Sequence, residues 1–268
     1  MSRRAINSLG WAYCIGVVAF LLTPIVIMVP VSFGSSELLQ FPPESLSLRW
    51  YRQVLGDGRW LASADLSLKI GLTAALAATA AGLMLSCAHL RHGRISALLR
   101  TYMLMPLVAP HIVLATGLFS ILLSVGQFGS WVVLAAAHAC LALPLTVVMF
   151  INAVDNLDPL LWTASSSLGA RWLTTIGHVV LPNIIGTVVL GFLLAFVTSW
   201  DEVTLAVFVG PSAPPTLPSR MFSYLQELID PSVTAIATLL LALTAIVGMA
   251  ALWLPRIRRA TASSVEAR

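Results

Sequence analysis

The chain alternates long apolar runs with short polar connections. Six such runs stand out, at residues 11–31, 68–88, 102–124, 131–154, 183–209 and 233–254. Each holds about twenty residues or more, the length an α-helix needs to cross the hydrocarbon core of a bilayer. The pattern predicts an all-α membrane protein with six transmembrane helices in one domain, residues 1–268. A signal peptide would have a shorter apolar core and a small-residue cleavage site, so the run after Ser2, Arg3 and Arg4 is read as a retained first span. In the second run Ala74, Ala78 and Gly82 form a small-residue ridge at spacings of four, and Gly71, Ala75 and Thr79 form another. Such ridges let helix backbones approach closely. Lys69 lies at the outer end of that run and can snorkel. Pro106 and Pro110 are expected to kink the third run, and Pro144 the fourth.

The connections are not featureless. Residues 34–65 include a short amphipathic stretch at 47–55, with Trp50, Tyr51 and Trp60 expected at the membrane interface. Residues 210–232 include another, with Met221, Phe222, Leu225, Leu228 and Ile229 on one face. Residues 157–182 are long for a connection with no job. Asp158 can cap a helix, Pro159 suits its first position, and Gly169 suits the residue just past its end. Leu160, Leu161, Ala164 and Leu168 recur on one face of that helix. A second helical run starts at Ala170, passes Arg171 and His178, and is expected to stop at Pro182. Such a helix either lies on the lipid surface or docks on something outside the bilayer.

Composition narrows the class. The 268 residues are 58% hydrophobic and 10% charged, whereas a soluble domain carries about a quarter charged residues. The net charge of +4 comes from basic residues beside the spans, not from one stripe, so nucleic-acid binding is not expected. Arg3, Arg4, Arg91, Arg94, Arg100, Arg171, Arg256, Arg258, Arg259 and Arg268 fall on the side of the termini. Arg49, Arg52, Arg59, Lys69 and Arg220 fall on the other. This bias predicts that both termini and the 157–182 loop are cytoplasmic. Cys14, Cys87 and Cys140 have neither metal-ligand spacing nor a disulfide framework. The single lysine, Lys69, follows no Gly-x-x-x-x-Gly-Lys, so the chain has no phosphate-cradling loop of that kind. No metalloprotease, paired-cysteine or nucleophile-elbow motif is present, and neither enzyme activity nor a bound cofactor is expected.

Four ionisable side chains fall within the runs. His111 and His138 each lie about nine residues from a span end, roughly 14 Å deep. They either hydrogen-bond to a neighbouring helix or face a path. Asp201 and Glu202, next to Trp200, lie in the outer third of the fifth run, where carboxylates are costly and usually face a cavity or a partner. An interfacial pair is the other reading. Neighbouring helical residues point about 100° apart, so Asp201 is expected to face a cavity and Glu202 to reach outward. The candidate path residues are Asp201, Glu202, His111, His138 and Trp200.

The series Ala164, Ser165, Leu168, Gly169, Ala170, followed after about ten residues by Val179, Leu181 and Pro182, resembles the EAA loop of ABC importer permeases. FPPESLSLRWYRQVL, PLVAPHIV, AHACLALP, SWDEVTLAVFVGP, TLPSRMF and DPSVTAIATLL extend the resemblance over nearly the whole chain, to the spermidine/putrescine type. It implies a type I importer permease fold with a cytoplasmic coupling helix, in a bacterial inner membrane. It also implies a second related permease, an extracytoplasmic solute-binding protein, and two ATPase subunits that bind the ATP and magnesium. The residues implied in ATPase coupling are Leu161, Thr163, Ala164, Ser165, Leu168, Gly169, Ala170 and Arg171. Thr163 stands where the family usually has Glu, and Ser165 where it has Ala. His111 stands where spermidine/putrescine permeases often have Asp, which leaves room for an opine-like or other amino-compound solute. A self-sufficient channel or secondary transporter would show an internal repeat or paired broken helices, and no clear repeat is present.

Overall fold

In the computed structural model, residues 3–92, 97–211, 213–227 and 230–266 are described; within helical residues 3–9, 92, 97–100, 227 and 250–266 only the backbone course is used. The described residues are almost wholly helical: α1 Arg3–Ser32, α2 Arg49–Gly56, α3 Gly58–His92, α4 Ala97–Val108, α5 His111–Ser124, α6 Trp131–Asp155, α7 Pro159–Ser167, α8 Trp172–Thr175, a π-helical stretch Ile176–Val180, α9 Leu181–Trp200, α10 Thr204–Val209, α11 Leu217–Glu227 and α12 Ser232–Glu266. Five helical stretches are long and apolar enough to cross a membrane, and six if α4 and α5 count as one broken span. The chain forms two compact units, one of Met1–Leu61 with Ser223–Leu243 and one of Ala62–Phe222 with Thr244–Arg268.

In the first unit, the end of α1 meets α2. Ser32 Oγ and Tyr51 Oη share a 2.7 Å hydrogen bond, and the Phe33 and Tyr51 rings lie 4.9 Å apart. α2 buries Trp50 and Val54, the apolar face its sequence offers. Trp60, expected at the lipid interface, is instead 3% exposed, with its ring 4.8 Å from Tyr224. Trp50 is buried as well. Aromatic residues with an interfacial signature have here become internal packing, because each buries a large apolar area against protein.

In the second unit, both small-residue ridges of α3 are put to use. Ala74, Ala75 and Ala78 are fully covered, and Thr146 Oγ1 donates to the Ala78 carbonyl at 3.0 Å. A Cβ on Gly82 would lie 2.7 Å from Thr146 Oγ1, and one on Gly71 would lie 3.0 Å from the Phe196 ring. Side chains any larger would force these helices apart. α6 packs along α9, and α5 packs on α10. Leu66, Ile70, Ala115, Leu122, Leu134, Ala135, Leu205, Ala206 and Val209 form the core of this unit. Pro144 is buried within an uninterrupted α6.

Three elements depart from the expected ones. The third is not a kinked helix but two helices bent by 102°. Pro106 is tolerated inside α4, while Pro110 forms the N-cap of α5. Ala109 is steered away from helical geometry by the proline after it, and the two effects end α4 there. Second, the helix before Pro182 does not stop at it. It runs on through Ile176–Val180, where the Leu181 N–H reaches back to the Ile176 carbonyl. The wider π turn accommodates the missing donor and the ring of Pro182. Third, the expected 183–209 span is interrupted: α9 ends at Trp200 and α10 starts at Thr204. α11 is anchored at its start, where Leu217 N–H donates to Ser67 Oγ at 2.8 Å and Arg220 Nε to Ser63 Oγ at 2.7 Å. Of its expected apolar face, Met221 is half-buried, Phe222 and Leu225 are exposed, and Leu228 and Ile229 lie outside the described residues.

Candidate functional site

Two regions of the second unit hold the candidate residues. The first is the loop 157–182. Asp158 Oδ1 accepts from Leu160 N–H at 2.9 Å and Pro159 opens α7, as the sequence predicts. The helix ends in a Schellman turn: Ala170 N–H reaches the Ser165 carbonyl at 3.1 Å and Gly169 N–H the Ser166 carbonyl at 3.0 Å. Gly169 has a φ of +73°, the left-handed conformation that such a turn needs.

The side chains of α7 divide sharply. Leu160, Leu161, Ala164 and Leu168 are exposed, Leu168 by 88%. Thr163 Oγ1 donates to the Pro159 carbonyl, Ser166 Oγ to that of Trp162 and Ser167 Oγ to that of Thr163. These hydroxyls donate back to their own helix, and the outward surface of α7 combines exposed leucines with these hydroxyls and carries no charged side chain. Ser165 faces inward and bonds to Thr175 of α8. Trp162 meets Trp172 edge-on at 4.8 Å, and the Arg91 guanidinium lies 5.8 Å from the Trp172 ring. Ala170 is half-buried and Arg171 exposed at the turn between the two helices. A cavity of about 350 Å3 lies beside α7, lined in part by Leu90, Val154, Leu157, Leu161, Trp162 and Thr163.

The second region is the break between α9 and α10. It gathers all five candidate path residues. Trp200 is the last residue of α9, buried with its ring stacked on Phe196. His138, 2% exposed on α6, shares a 2.8 Å hydrogen bond through Nδ1 with Ser199. Neither His138 Nε2 nor Trp200 Nε1 has a hydrogen-bond partner among the described residues. His111, the first residue of α5, places Nδ1 3.1 Å from Glu202 Oε2. Glu202 Oε1 accepts from Leu205 N–H at 3.0 Å, which satisfies an open donor in the first turn of α10.

The orientation of Glu202 differs from the expected outward one. Glu202 is 7% exposed and turned into the protein, while Asp201 is exposed. The expectation assumed a continuous helix; the break at Asp201 redirects the chain. Ser199, Thr175 and Trp172 were not singled out in the sequence. Their roles depend on long-range or inter-helix partners that no local pattern encodes.

The family profile described as "Binding-protein-dependent transport system inner membrane component" matches residues 75–259. The putrescine transport system permease protein PotI of Escherichia coli K12 is 30% identical over 243 residues, 88% of this chain and 86% of its own length. The spermidine/putrescine transport system permease protein PotC of Haemophilus influenzae is 30% identical over 235 residues, 87% of this chain and 91% of its own. The fold is shared with a bacterial ABC transporter involved in import of the acidic polysaccharide alginate, at a TM-score of 0.71 and 12% identity over 95% of this chain and 96% of that one. The MetNI methionine ABC transporter in an inward-facing conformation matches at a TM-score of 0.61 and 21% identity, over 78% of this chain and 97% of that one. The chain thus belongs to the family of binding-protein-dependent transport system inner-membrane components, as a multi-pass permease subunit of an ABC importer rather than an enzyme.

Proposed function

We propose that this chain lines half of the path for a small amine-bearing solute of the polyamine class. The observation that supports the solute class is Asp201. Its carboxylate is exposed at a helix break and makes no hydrogen bond or ion pair among the described residues. A carboxylate at membrane depth needs compensation, and a passing ammonium supplies it. Glu202, His111, His138 and Trp200 stand behind Asp201 in the wall of the path. The names of the PotI and PotC relatives agree with this class.

In this reading residues 1–268 act as one permease domain surrounded by lipid, with a second related permease completing the path. The exposed surface of α7, with Leu161, Thr163, Ala164, Leu168, Gly169, Ala170 and Arg171, docks on one of two ATPase subunits, and Ser165 holds it from within. ATP and magnesium belong to those subunits. The 210–232 loop meets an extracytoplasmic binding protein. The arginine bias puts both termini and α7 in the cytoplasm of a bacterial cell.

Reconstitution tests this reading. Uptake of a radiolabelled diamine into proteoliposomes is expected only with the partner permease, the ATPase subunits, the binding protein and ATP together. Uptake by the chain alone would mean a self-sufficient channel. ATP-driven transport that no diamine uses or competes with would exclude the amine class.

A further inference from the structure

We propose that Glu202 is a positioning residue and not a ligand carboxylate: it pins the start of α5 to the start of α10 and leaves Asp201 as the carboxylate that meets the solute. The Asp201 half of this statement rests on the amine-path reading above; the Glu202 half rests on geometry.

Two interruptions of the second unit meet at this one side chain. α4 gives way to α5 at Ala109 and Pro110, and α9 gives way to α10 at residues 201–203. Each interruption leaves the first backbone donors of the next helix without intrahelical partners. One carboxylate reaches both places, taking a backbone donor at the start of α10 and a side-chain ring nitrogen at the start of α5. Oε1 of Glu202 takes the Leu205 N–H at 3.0 Å, and Oε2 lies 3.1 Å from His111 Nδ1 at the first position of α5. Both oxygens are engaged and the residue is 7% exposed, so neither is presented outward. Beyond the contact, α5 and α10 are packed through Ala115, Leu122, Leu205, Ala206 and Val209. Glu202 therefore closes the end of an interface that packing has already formed. Asp201, the preceding residue, is exposed.

The distinction between shape and charge makes this testable. Glutamine has the outline of glutamate. Its carbonyl can accept from Leu205 N–H and its amide can donate to His111 Nδ1, so both contacts persist without the negative charge. A ligand carboxylate cannot be replaced in that way, because its attraction for an ammonium is lost.

The experiment is concentration-dependent diamine uptake by the assembled transporter in proteoliposomes, with hydrogen exchange at the Leu205 amide read on the same preparations. Glu202→Gln should retain the half-saturating concentration of the wild type and most of its maximal rate. Glu202→Ala and His111→Ala should lose most of the maximal rate at an unshifted half-saturating concentration. The Leu205 amide should exchange faster in Glu202→Ala, and as slowly as wild type in Glu202→Gln. Asp201→Asn should raise the half-saturating concentration about tenfold or more, the loss of one charge-assisted contact. A rise in Glu202→Gln comparable to that in Asp201→Asn would overturn the proposal. So would wild-type rate and exchange in Glu202→Ala. If Glu202→Ala does not assemble, His111→Ala carries the rate comparison, and a raised half-saturating concentration there would place His111 on the ligand side and overturn the pin. Wild-type affinity in Asp201→Asn would sink the amine-path reading while the Leu205 exchange still judges the role of Glu202.

Discussion

Ser165 Oγ and Thr175 Oγ1 meet at 2.7 Å, both buried, and join α7 to α8 across the turn at Gly169. A helical Ala at 165, the residue the resembling loop usually has, would leave Thr175 with only a long 3.4 Å contact to the Arg171 carbonyl. Ser165→Ala is therefore expected to destabilise the purified complex by about 1–3 kcal/mol, the cost of an unsatisfied buried hydroxyl. Ser165→Ala with Thr175→Val removes both partners and should recover most of the loss. Thermal unfolding of the single and double variants measures this; equal loss in both would mean the bond contributes little.

Gly169 supplies the left-handed residue of the same turn, at a φ of +73°. Gly169→Val should strain the turn by about 1–2 kcal/mol and tilt α7 away from its seat. ATP hydrolysis by the assembled transporter should continue while solute moved per ATP falls. Normal coupling at normal expression would count against docking by α7.

Close approach of α6 and α9 depends on Gly191. A Cβ there would lie 2.5 Å from the Phe150 ring, itself fully buried. Gly191→Ala should cost about 1–3 kcal/mol by overpacking, read as a lower melting temperature. Adding Phe150→Leu should relieve part of it, and no relief would place the strain elsewhere.

What was legible in the sequence was local chemistry. The cap of α7 at Asp158, the proline at its first position and the glycine past its end all stand where the sequence puts them, since each satisfies a backbone demand within a few residues. The ridges of α3 were legible for the same reason: small residues at spacings of four have few other uses in a membrane helix. The two breaks were not. Pro110 signals a kink but not a bend of 102°, and the α5–α10 contact that accompanies the bend joins residues far apart in sequence. The end of α9 is less visible still, because Ser-Trp-Asp-Glu-Val-Thr holds neither glycine nor proline. Without the break, the inward turn of Glu202 toward His111 and Leu205 has no local cause. Trp60 misled because interfacial and buried aromatic residues read alike in sequence.

The 210–232 loop is expected to receive the binding protein. Its helix α11 is fixed at its start to Ser63 and Ser67 and leaves Phe222 and Leu225 exposed. Deleting residues 219–229 should abolish stimulation of ATP hydrolysis by loaded binding protein and leave basal hydrolysis in place. Unchanged stimulation would move the docking surface elsewhere.

The half-saturating diamine concentration for ATP-dependent uptake by the assembled transporter, compared between wild type and Asp201→Asn, tests the role of Asp201 in the solute path most directly. The exposed carboxylate is taken to contribute one charge-assisted contact, about 1.5–3 kcal/mol, so the value should rise about tenfold to a hundredfold. Asp201→Glu, which keeps the charge, should recover part of the difference. An Asp201→Asn transporter that assembles and takes up the diamine at wild-type rate and affinity would show that this carboxylate does not meet the solute.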